Sequence, residues 1–588
     1  MRKQTKVVAV ASAAALLAIG ASMTSFAATG WVEEDGQWYF YDKDGNRVED
    51  EWKKSGDNWY WMDSEDNGAM ATDKLVEDDD NTYYVDSNGV MVKNTWVKVV
   101  NEDQDDDDDP AEYRYYYMQS NGKAYKGNGT SLNKKTIDGK QYAFDEEGQM
   151  LYGWVNSDGD MANGEDDWQN ATYYFGGWED GSMKTGWQKI TVHDPDANKD
   201  DDYDYWFNFK SNGKKRTNND STGTEQTNKT WKSNGKYYHF DARGVMVYQW
   251  YGVDADASSS NASAANWAYF NSPEDGARQV KGWFKVVAPT EDNTFLEDDS
   301  DSFATADAGD ESERWYYSNG YDEGLVAGEI KKIKGKYYGF WPEDGAKSGR
   351  MLTGLCALKM NGSEILEVID DDMDSDGLDN FMDAYKNESQ ADTNVYLYYF
   401  GDDADTDGAM KTGNVSINLD GDSYQFMFKK SGGAESRGRG VNGVDDKKYI
   451  YKHGQKVKAS SDEKYLVVVA TSDINDENAK VIDYNGSDIR KDTTLDHGKI
   501  AAEDGKVRVT SGFATSDNGV YLVNTSGKIQ TSTKSGIKDG DDWYWYLNDG
   551  DIIMYTDSKD FDETNFKGSG WKNFTSATVK NDAKYTAD

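Results

Sequence analysis

The sequence predicts an all-β fold, a solenoid of stacked β-hairpins with three hairpins per superhelical turn and long acidic loop insertions. Two observations support this prediction, a fixed repeat period and a regular alternation of turn lengths. Trp31 and Trp52 are 21 residues apart, and so are Trp38 and Trp59, within one pattern of glycines and aromatic residues. Such a period is typical of repeat arrays, in which each unit is too small to fold alone and buries its apolar surface against its neighbours.

Each unit has the sequence of a β-hairpin. In the first unit, an aromatic run over residues 38–41 lies between glycine turns at Gly36 and Gly45, and such turns close short antiparallel strands. Because side chains alternate across a strand, Trp38 and Phe40 are expected on one face and the two tyrosines on the other. Since both faces are aromatic, we expect both to be covered, one under the solenoid and one in the gap between successive hairpins.

The turn lengths follow a second regularity along the array, which holds about fourteen units up to Val457. Every third unit keeps a tight turn, and from the fourth unit onward most of the others carry long inserts. The tight turns are Ser55-Gly56, Asp138-Gly139, Asn234-Gly235, Lys334-Gly335 and Asp445-Asp446. We infer three hairpins per superhelical turn, and inserts whose lengths drifted by chance are the alternative. The inserts are acidic and poor in apolar residues, so they are expected to be solvated.

The ends of the chain differ from the array. Basic residues, an apolar run over 7–20 and small residues before Ala28 predict a secretory signal peptide over residues 1–27. The array is then expected over 28–458. A β region without tryptophan follows over 459–535, either a degenerate part of the array or a small separate domain. The aromatic motif returns near residue 543, which makes 536–588 a terminal repeat or cap.

Composition limits the classes of function. The chain has 108 acidic and 64 basic residues and a net charge of -44, which argues against nucleic acid as a partner because phosphate recognition needs a basic surface. No later segment approaches the roughly 20 apolar residues of a transmembrane helix. The single cysteine, Cys356, has no partner for an internal disulfide and is expected to be a buried small residue.

The repeat motif resembles a known family. Gly-Trp, then Gly-x-Trp-Tyr-Tyr/Phe, then Asp-Gly-x-Met, as in Gly30 to Met70, is similar to the choline-binding, or cell-wall-binding, repeats of Gram-positive surface proteins. Glucan-binding and clostridial-toxin repeats are near neighbours of that family. The resemblance covers Gly30 to about Val457 and the terminal unit. It implies a choline-binding-repeat-like superhelix on the cell wall or cell surface, with a choline-bearing teichoic acid or another wall polymer as partner.

The resemblance also implies where a ligand binds. In the family, a quaternary ammonium group sits between consecutive hairpins among the Trp of Gly-Trp, the first aromatic of the triplet and an aromatic of the next hairpin. Carried onto this chain, the cage residues are Trp31, Trp38, Trp52, Trp59, Trp154, Trp187, Trp206, Trp250, Trp267, Trp283 and Trp315. The pattern fails at Thr82, Gln141, Thr172, Leu355 and Leu397, so those junctions are expected to hold no ligand. Aromatics that serve only to pack hairpins together are the alternative.

A calcium loop is the second candidate site. Oxygen-bearing side chains occur at loop positions 1, 3, 5, 9 and 12, with Gly377 at position 6, a spacing that calcium-binding loops use. The candidate ligands are Asp372, Asp374, Asp376, Asn380 and Asp383. No cofactor is expected to be required, and an unligated acidic loop is the alternative.

No catalytic motif emerges, since the four histidines lie far apart and no nucleophile elbow or HExxH is present. The sequence therefore predicts a secreted, non-enzymatic surface protein that binds cell-wall polymers through choline-like groups. The alternative is a carbohydrate-binding repeat protein or adhesin, in which the same aromatics stack on sugar rings of a glucan or host glycan. A small hydrolase within residues 460–535 is a third hypothesis and would need convergent acid and base groups.

Overall fold

The computed structural model describes most of the chain, and nearly all regular structure in it is antiparallel β. The described residues are 29–104, 110–194, 201–224, 226, 229–253, 263–289, 295, 313–320, 324–342, 347–386, 388–405, 407–471, 474, 476–486, 499–500, 506–509, 518–532, 534–556 and 559. The predicted signal peptide and most of the acidic insert over 289–313 lie outside them.

The chain divides into two compact units, residues 1–230 with 238–247 and residues 231–237 with 248–588. Up to residue 230 the strands are β1 (Gly30–Glu34), β2 (Gln37–Tyr41), β3 (Glu51–Ser55), β4 (Asn58–Asp63), β5 (Ala69–Met70), β6 (Lys74–Asp78), β7 (Asn81–Val85), β8 (Thr95–Val100), β9 (Tyr113–Met118), β10 (Lys134–Ile137), β11 (Lys140–Ala143), β12 (Trp154–Val155), β13 (Tyr173–Tyr174), β14 (Gly186–Asp194) and β15 (Asp201–Phe209). Two 3-10 helices accompany them, Ser64–Asp66 and Asp167–Gln169.

The later strands continue the same pattern as far as β31. They are β16 (Trp231–Ser233), β17 (Lys236–Tyr238), β18 (Gln249–Gly252), β19 (Trp267–Phe270), β20 (Gly282–Val287), β21 (Glu313–Ser318), β22 (Ile330–Ile333), β23 (Lys336–Gly339), β24 (Leu355–Asn361), β25 (Glu364–Asp370), β26 (Val395–Tyr399), β27 (Gly413–Leu419), β28 (Asp422–Phe428), β29 (Gly443–Asp445), β30 (Tyr449–Lys452) and β31 (Gln455–Lys456). The helices are the 3-10 helix Ala264–Asn266, α1 (Ser375–Ala384), α2 (Gln390–Thr393) and α3 (Gly433–Ser436).

Consecutive strands pair as the predicted hairpins, and their register follows the sequence motif. The Trp of Gly-Trp lies opposite the third residue of the aromatic triplet: Trp52 pairs with Trp61, and Trp283 with Tyr317. After most turns, a bridge joins the strand to the residue at the Met position of the motif, as between Val85 and Met91. The all-β hairpin fold predicted from the sequence is therefore confirmed.

One backbone hydrogen bond joins successive hairpins at ten junctions of the described chain. The N–H of the residue at the Met position donates to the carbonyl of the first triplet residue of the preceding hairpin. The donor and acceptor pairs are Met91 and Trp59, Ala124 and Thr82, Met150 and Tyr115, Met183 and Gln141, Lys215 and Thr172, Met246 and Trp206, Arg278 and Tyr237, Met351 and Trp315, Met410 and Tyr337, and Gly440 and Leu397, at 2.7 to 2.9 Å. Because this bond uses only the backbone, it persists where the aromatic side chains are replaced. The number of hairpins per superhelical turn stays a prediction.

The region after residue 458 contacts the last hairpin of the array. Its described strands are β32 (Tyr465–Thr471), β33 (Ile482–Tyr484), β34 (Lys499–Ile500), β35 (Lys506–Val509), β36 (Asn518–Asn524), β37 (Lys534–Lys538), β38 (Tyr544–Asn548) and β39 (Asp551–Thr556). Ile529 follows the turn after β36, and its N–H donates to the carbonyl of Lys448, as at the junctions above. Val523 and Ile529 share an apolar cluster with Val444 and Ile450 of the preceding hairpin. Of the two readings of this region, the degenerate array fits these contacts better than a separate domain.

Two further expectations concern single features. Cys356 is fully buried, as predicted, and burial raises the pKa of its thiol. None of the helices in the described part of the chain has the length and apolar character needed to cross a lipid bilayer.

Candidate functional site

The gaps between consecutive hairpins are lined by aromatic rings in a recurring arrangement. The Trp of Gly-Trp contacts the second triplet residue of the next hairpin edge to face. This ring contact measures 5.2 Å between Trp31 and Tyr60, and 5.0 Å between Trp52 and Tyr83. Large interplanar angles, 74° and 63°, are typical of aromatic pairs because the positive edge of one ring meets the negative face of the other.

In the described part of the chain, five junctions with a partly buried Trp combine three aromatic residues: the Trp, the first triplet residue of the same hairpin and the second triplet residue of the next. They are Trp31, Trp38 and Tyr60; Trp52, Trp59 and Tyr83; Trp96, Tyr115 and Tyr142; Trp187, Trp206 and Tyr238; and Trp283, Trp315 and Tyr338. In all five the Trp is only partly buried, and Trp59 is 36% exposed. Ring faces that remain accessible in this way can attract a cation.

Two of these junctions have nearly the same geometry although they lie far apart in the chain. Trp187 and Trp206 have centroids 6.4 Å apart at 81°, and Trp283 and Trp315 have centroids 6.3 Å apart at 84°. The repeat therefore reproduces the orientation of the rings as well as their order.

A methionine forms part of the same clusters. Met91 packs with Trp52 and Tyr83, and Met351 with the rings of Trp283, Trp315 and Tyr338. The thioether is polarizable and makes favourable contacts with aromatic rings. The Met of the Gly-x-Met motif thus contributes to the junction between hairpins as well as to the turn.

One predicted cage is sealed, which corrects the sequence-based assignment of Trp250 and Trp267. Their exposed fractions are 0% and 1%. The Trp250 indole N–H donates to the Val287 carbonyl at 2.9 Å, and Ala264 of a 3-10 helix from the insert packs in the same cluster. Trp250 still contacts Tyr316 at 5.1 Å and 75°. The insert covers rings that keep the usual contact between hairpins.

Trp154 lies at a junction of a different kind. Thr172 replaces the first aromatic residue, and Trp168, from the 3-10 helix of the insert, lies 6.5 Å from Trp154. Phe207 of the next hairpin makes the usual edge-to-face contact with Trp154 at 5.1 Å and 70°. The predicted cage residue is therefore in place, but an insert side chain takes the place of the missing wall.

Four segments of the chain, residues 29–46, 50–70, 73–91 and 232–246, match the family model for cell wall binding repeats. These segments are similar to cell wall binding repeats. Among solved structures, choline binding protein F from Streptococcus pneumoniae is 19% identical over 58% of this chain and 100% of that chain, with a TM-score of 0.29. The choline-binding domain of CbpL from Streptococcus pneumoniae is 23% identical over 38% of this chain and 88% of that chain, with a TM-score of 0.23. No curated protein matches the chain.

The autolysin LytC from Streptococcus pneumoniae, solved with a synthetic peptidoglycan ligand, is also similar, at 15% identity and a TM-score of 0.28. The match covers 57% of this chain and 55% of LytC, so the chain spans about half the length of that protein. The matched segments themselves contain Trp31, Trp52 and Tyr238, which belong to three of the five aromatic junctions.

Carboxylates orient two of the indoles at the aromatic junctions. The Trp52 indole N–H donates to Asp78 at 3.1 Å, and the Trp315 indole N–H donates to Asp405 at 2.8 Å. Lys285 lies 2.8 Å from Asp405, and hydrogen bonds from Lys285 and Trp315 lower the pKa of this carboxyl. Each carboxylate thus restrains the orientation of its Trp ring.

The structure does not form the predicted calcium loop. Asp376, Asn380 and Asp383 lie within α1, and Asp374 is the N-cap of that helix, where its carboxylate accepts from the Gly377 N–H at 2.7 Å. The helix spreads Asp376, Asn380 and Asp383 along its length, and Asp372 and Asp374 precede it, so the five candidate ligands do not surround one point. Among the residues that the structure describes, no group of three or more His, Cys, Asp or Glu side chains could hold a metal ion.

The sequence-based assignment missed several residues of the aromatic junctions. Trp96 and Tyr115 form one junction with Tyr142 at 4.9 Å, but Thr95 stands where the motif has glycine. The second triplet residues Tyr60, Tyr83, Tyr238 and Tyr338 were also missed as individual assignments. The period of the array was the signal that could have found all of them, since each occupies the same place in its repeat.

Proposed function

We propose that this chain is a secreted, non-enzymatic surface protein that binds cell-wall polymers through choline-like groups held between hairpins. The observation that carries the proposal is the recurrence of three aromatic side chains at five junctions, where the Trp and the first triplet residue both remain partly accessible. Similarity of the matched segments to cell wall binding repeats supports the polymer as the partner. A choline-bearing teichoic acid, or another wall polymer that carries quaternary ammonium groups, has the matching chemistry.

The chemistry of the ligand suits rings better than carboxylates. A quaternary ammonium has no N–H to donate and keeps its charge at every pH, so ring faces are its natural contacts. Each ring contributes about 0.5 to 2 kcal/mol, so one site is expected to bind with about -4 kcal/mol, a millimolar affinity. Several weak sites on one polymer raise the overall affinity through effective concentration. The array therefore suits reversible attachment to a repetitive surface.

A second candidate function, carbohydrate binding, is favoured by one observation. Trp178 lies 6.3 Å from Tyr113 and 6.5 Å from Tyr115, tilted by 37° and 36°. The three partly buried rings adjoin the junction at Trp96 and extend its aromatic surface. Such a surface is suited to stacking against a sugar ring, and a wall polymer could offer both sugar and ammonium.

Titration of the full mature chain separates the two functions. Tryptophan fluorescence is followed during addition of choline, of tetramethylammonium, of the neutral carbon analogue dimethylbutanol and of a maltooligosaccharide. The proposal expects saturable responses to both cations and a much weaker response to dimethylbutanol, which has the same shape without the charge. A response to the oligosaccharide alone would favour the carbohydrate function. Equal responses to choline and dimethylbutanol would contradict a cation site.

A further inference from the structure

One junction is occupied by a lysine amine of the chain itself. We infer that the Lys215 side chain fills the site beside Trp154 and closes it to external cations, so the residue at the Met position decides whether this junction binds a ligand. The inference rests on the proposed function, because it concerns which of the proposed sites are available. It applies to the junction between β12–β13 and β14–β15.

The backbone of Lys215 occupies the same position in its repeat as the backbone of the methionines at the open junctions. The Lys215 N–H donates to the Thr172 carbonyl at 2.7 Å, and the Met351 N–H donates to the Trp315 carbonyl at 2.9 Å. The Met351 side chain packs among the rings of its junction. Because the backbone position is equivalent, Lys215 directs its side chain into the corresponding place beside Trp154.

The Lys215 amine has the contacts of a bound ligand. Its Nζ lies 5.1 Å from the ring centroid of Trp154 and 6.0 Å from that of Trp168. It donates to the carbonyls of Trp168 at 2.7 Å and of Gln169 at 3.0 Å, and the residue is only 7% exposed. A quaternary ammonium could not replace these two hydrogen bonds, so its entry would leave two carbonyls unsatisfied. The site therefore favours its own primary amine over an external ligand.

The insert that supplies those carbonyls is itself held in place. Trp168 is 2% exposed, and its indole N–H donates to the His193 carbonyl at 2.8 Å. The Arg243 guanidinium lies 5.4 Å from the Trp168 ring and pairs with Asp194 at 2.8 Å. These contacts fix the position of Trp168, whose ring and carbonyl contact the Lys215 amine. Lys215 therefore occupies the site in the folded chain without any ligand.

The test uses the full mature chain labelled with fluorotryptophan and followed by fluorine NMR during titration with tetramethylammonium. Resonances are assigned with Trp154→Phe and Trp283→Phe. In the unmodified chain the Trp283 resonance should shift and the Trp154 resonance should not. Lys215→Met should make the Trp154 resonance respond, and the reciprocal Met351→Lys should abolish the response of Trp283. Unchanged resonances elsewhere show that each variant is folded.

A second measurement examines Lys215 without any ligand. Acetylation followed by mass spectrometry compares Lys215 with its exposed neighbour Lys214, and Lys215 should react at least tenfold more slowly. Equal rates, or a shift of Trp154 in the unmodified chain, would overturn the inference. The inference would also be overturned if the Trp154 resonance of Lys215→Met did not shift while the Trp283 resonance of that variant still did. If the Trp283 resonance of the unmodified chain did not shift with tetramethylammonium, the result would count against the proposed function instead. The acetylation rates would still decide whether Lys215 fills its site.

Discussion

Trp283 and Tyr338 belong to consecutive hairpins, and their ring centroids lie 4.8 Å apart at an interplanar angle of 66°. Trp187 and Tyr238 make the same contact at 4.8 Å and 63°. An aromatic pair of this kind contributes about 0.5 to 1.5 kcal/mol beyond burial. The same rings thus hold neighbouring hairpins together and form two walls of the proposed ligand site. Stability and binding are consequently coupled at these residues, and the third wall offers a way to separate them.

Trp315 is that third wall, and it is suited to a test of binding alone. Because it is partly exposed and does not make the edge-to-face contact with Tyr338, we expect Trp315→Ala to lower stability less than loss of Trp283 would. Loss of one ring should weaken tetramethylammonium binding at this site by about 2- to 30-fold, equivalent to 0.5 to 2 kcal/mol. The shift of the Trp283 fluorine resonance gives the affinity of this site. Trp315→Phe keeps a ring and serves as the control, and an equal loss in both variants would contradict a role for the ring face.

Replacement of Trp250 should have the opposite effect to replacement of Trp315: it should lower stability and leave ligand binding unchanged. It is fully buried and its site is covered by the insert, so Trp250→Ala leaves a large cavity and should destabilise the second unit by about 3 to 5 kcal/mol. The number of tetramethylammonium sites, measured by equilibrium dialysis under conditions where the variant is folded, should not change. Loss of one site would show that the rings beside Trp250 are accessible to ligand after all.

His453 is expected to make the second unit sensitive to acid. It is 2% exposed, and its Nε2 lies 3.2 Å from the Tyr385 carbonyl. Burial lowers the pKa of His453 from 6.5 to about 4. Between these values the unfolded chain binds a proton that the folded chain does not, so stability should fall as the pH decreases from 6.5 to 4 and then level off. The loss should be about 3 kcal/mol.

Urea unfolding of the full chain across this pH range measures the effect. His453→Asn removes the titrating group, and Asn is among the residues that tolerate the positive φ of 48° at this position. The variant should be less stable at pH 8, where both side chains are uncharged, because packing against Phe381 is lost. Its loss of stability between pH 6.5 and 4 should be smaller than that of the unmodified chain. Parallel pH profiles would show that other groups cause the acid sensitivity.

The sequence predicted the hairpins and most of the ring positions because the motif, the turns and the backbone bond between hairpins all share one period. It could not predict that the rings beside Trp250 are sealed, because their cover comes from an insert outside the period. It also missed Trp96, although Trp96 has the same place in its repeat as Trp52, which likewise has no glycine before it. The role of Lys215 depends on carbonyls 46 and 47 residues away in the chain. Contacts of that kind arise from tertiary structure and leave no local pattern.

Asp374 provides the sharpest test between a calcium ligand and a helix cap, because the run Asp372-Met373-Asp374-Ser375-Asp376-Gly377 suits both. As an N-cap it accepts from the Gly377 N–H at 2.7 Å, so Asp374→Ala should destabilise α1 by about 1 kcal/mol. Asp374→Ser keeps a capping oxygen and should restore most of this loss, although it removes a carboxylate. Thermal unfolding is measured for both variants with added calcium and with a chelator. A calcium-dependent rise in Tm of the unmodified chain that both variants lose would identify a metal site and contradict the cap as the main role.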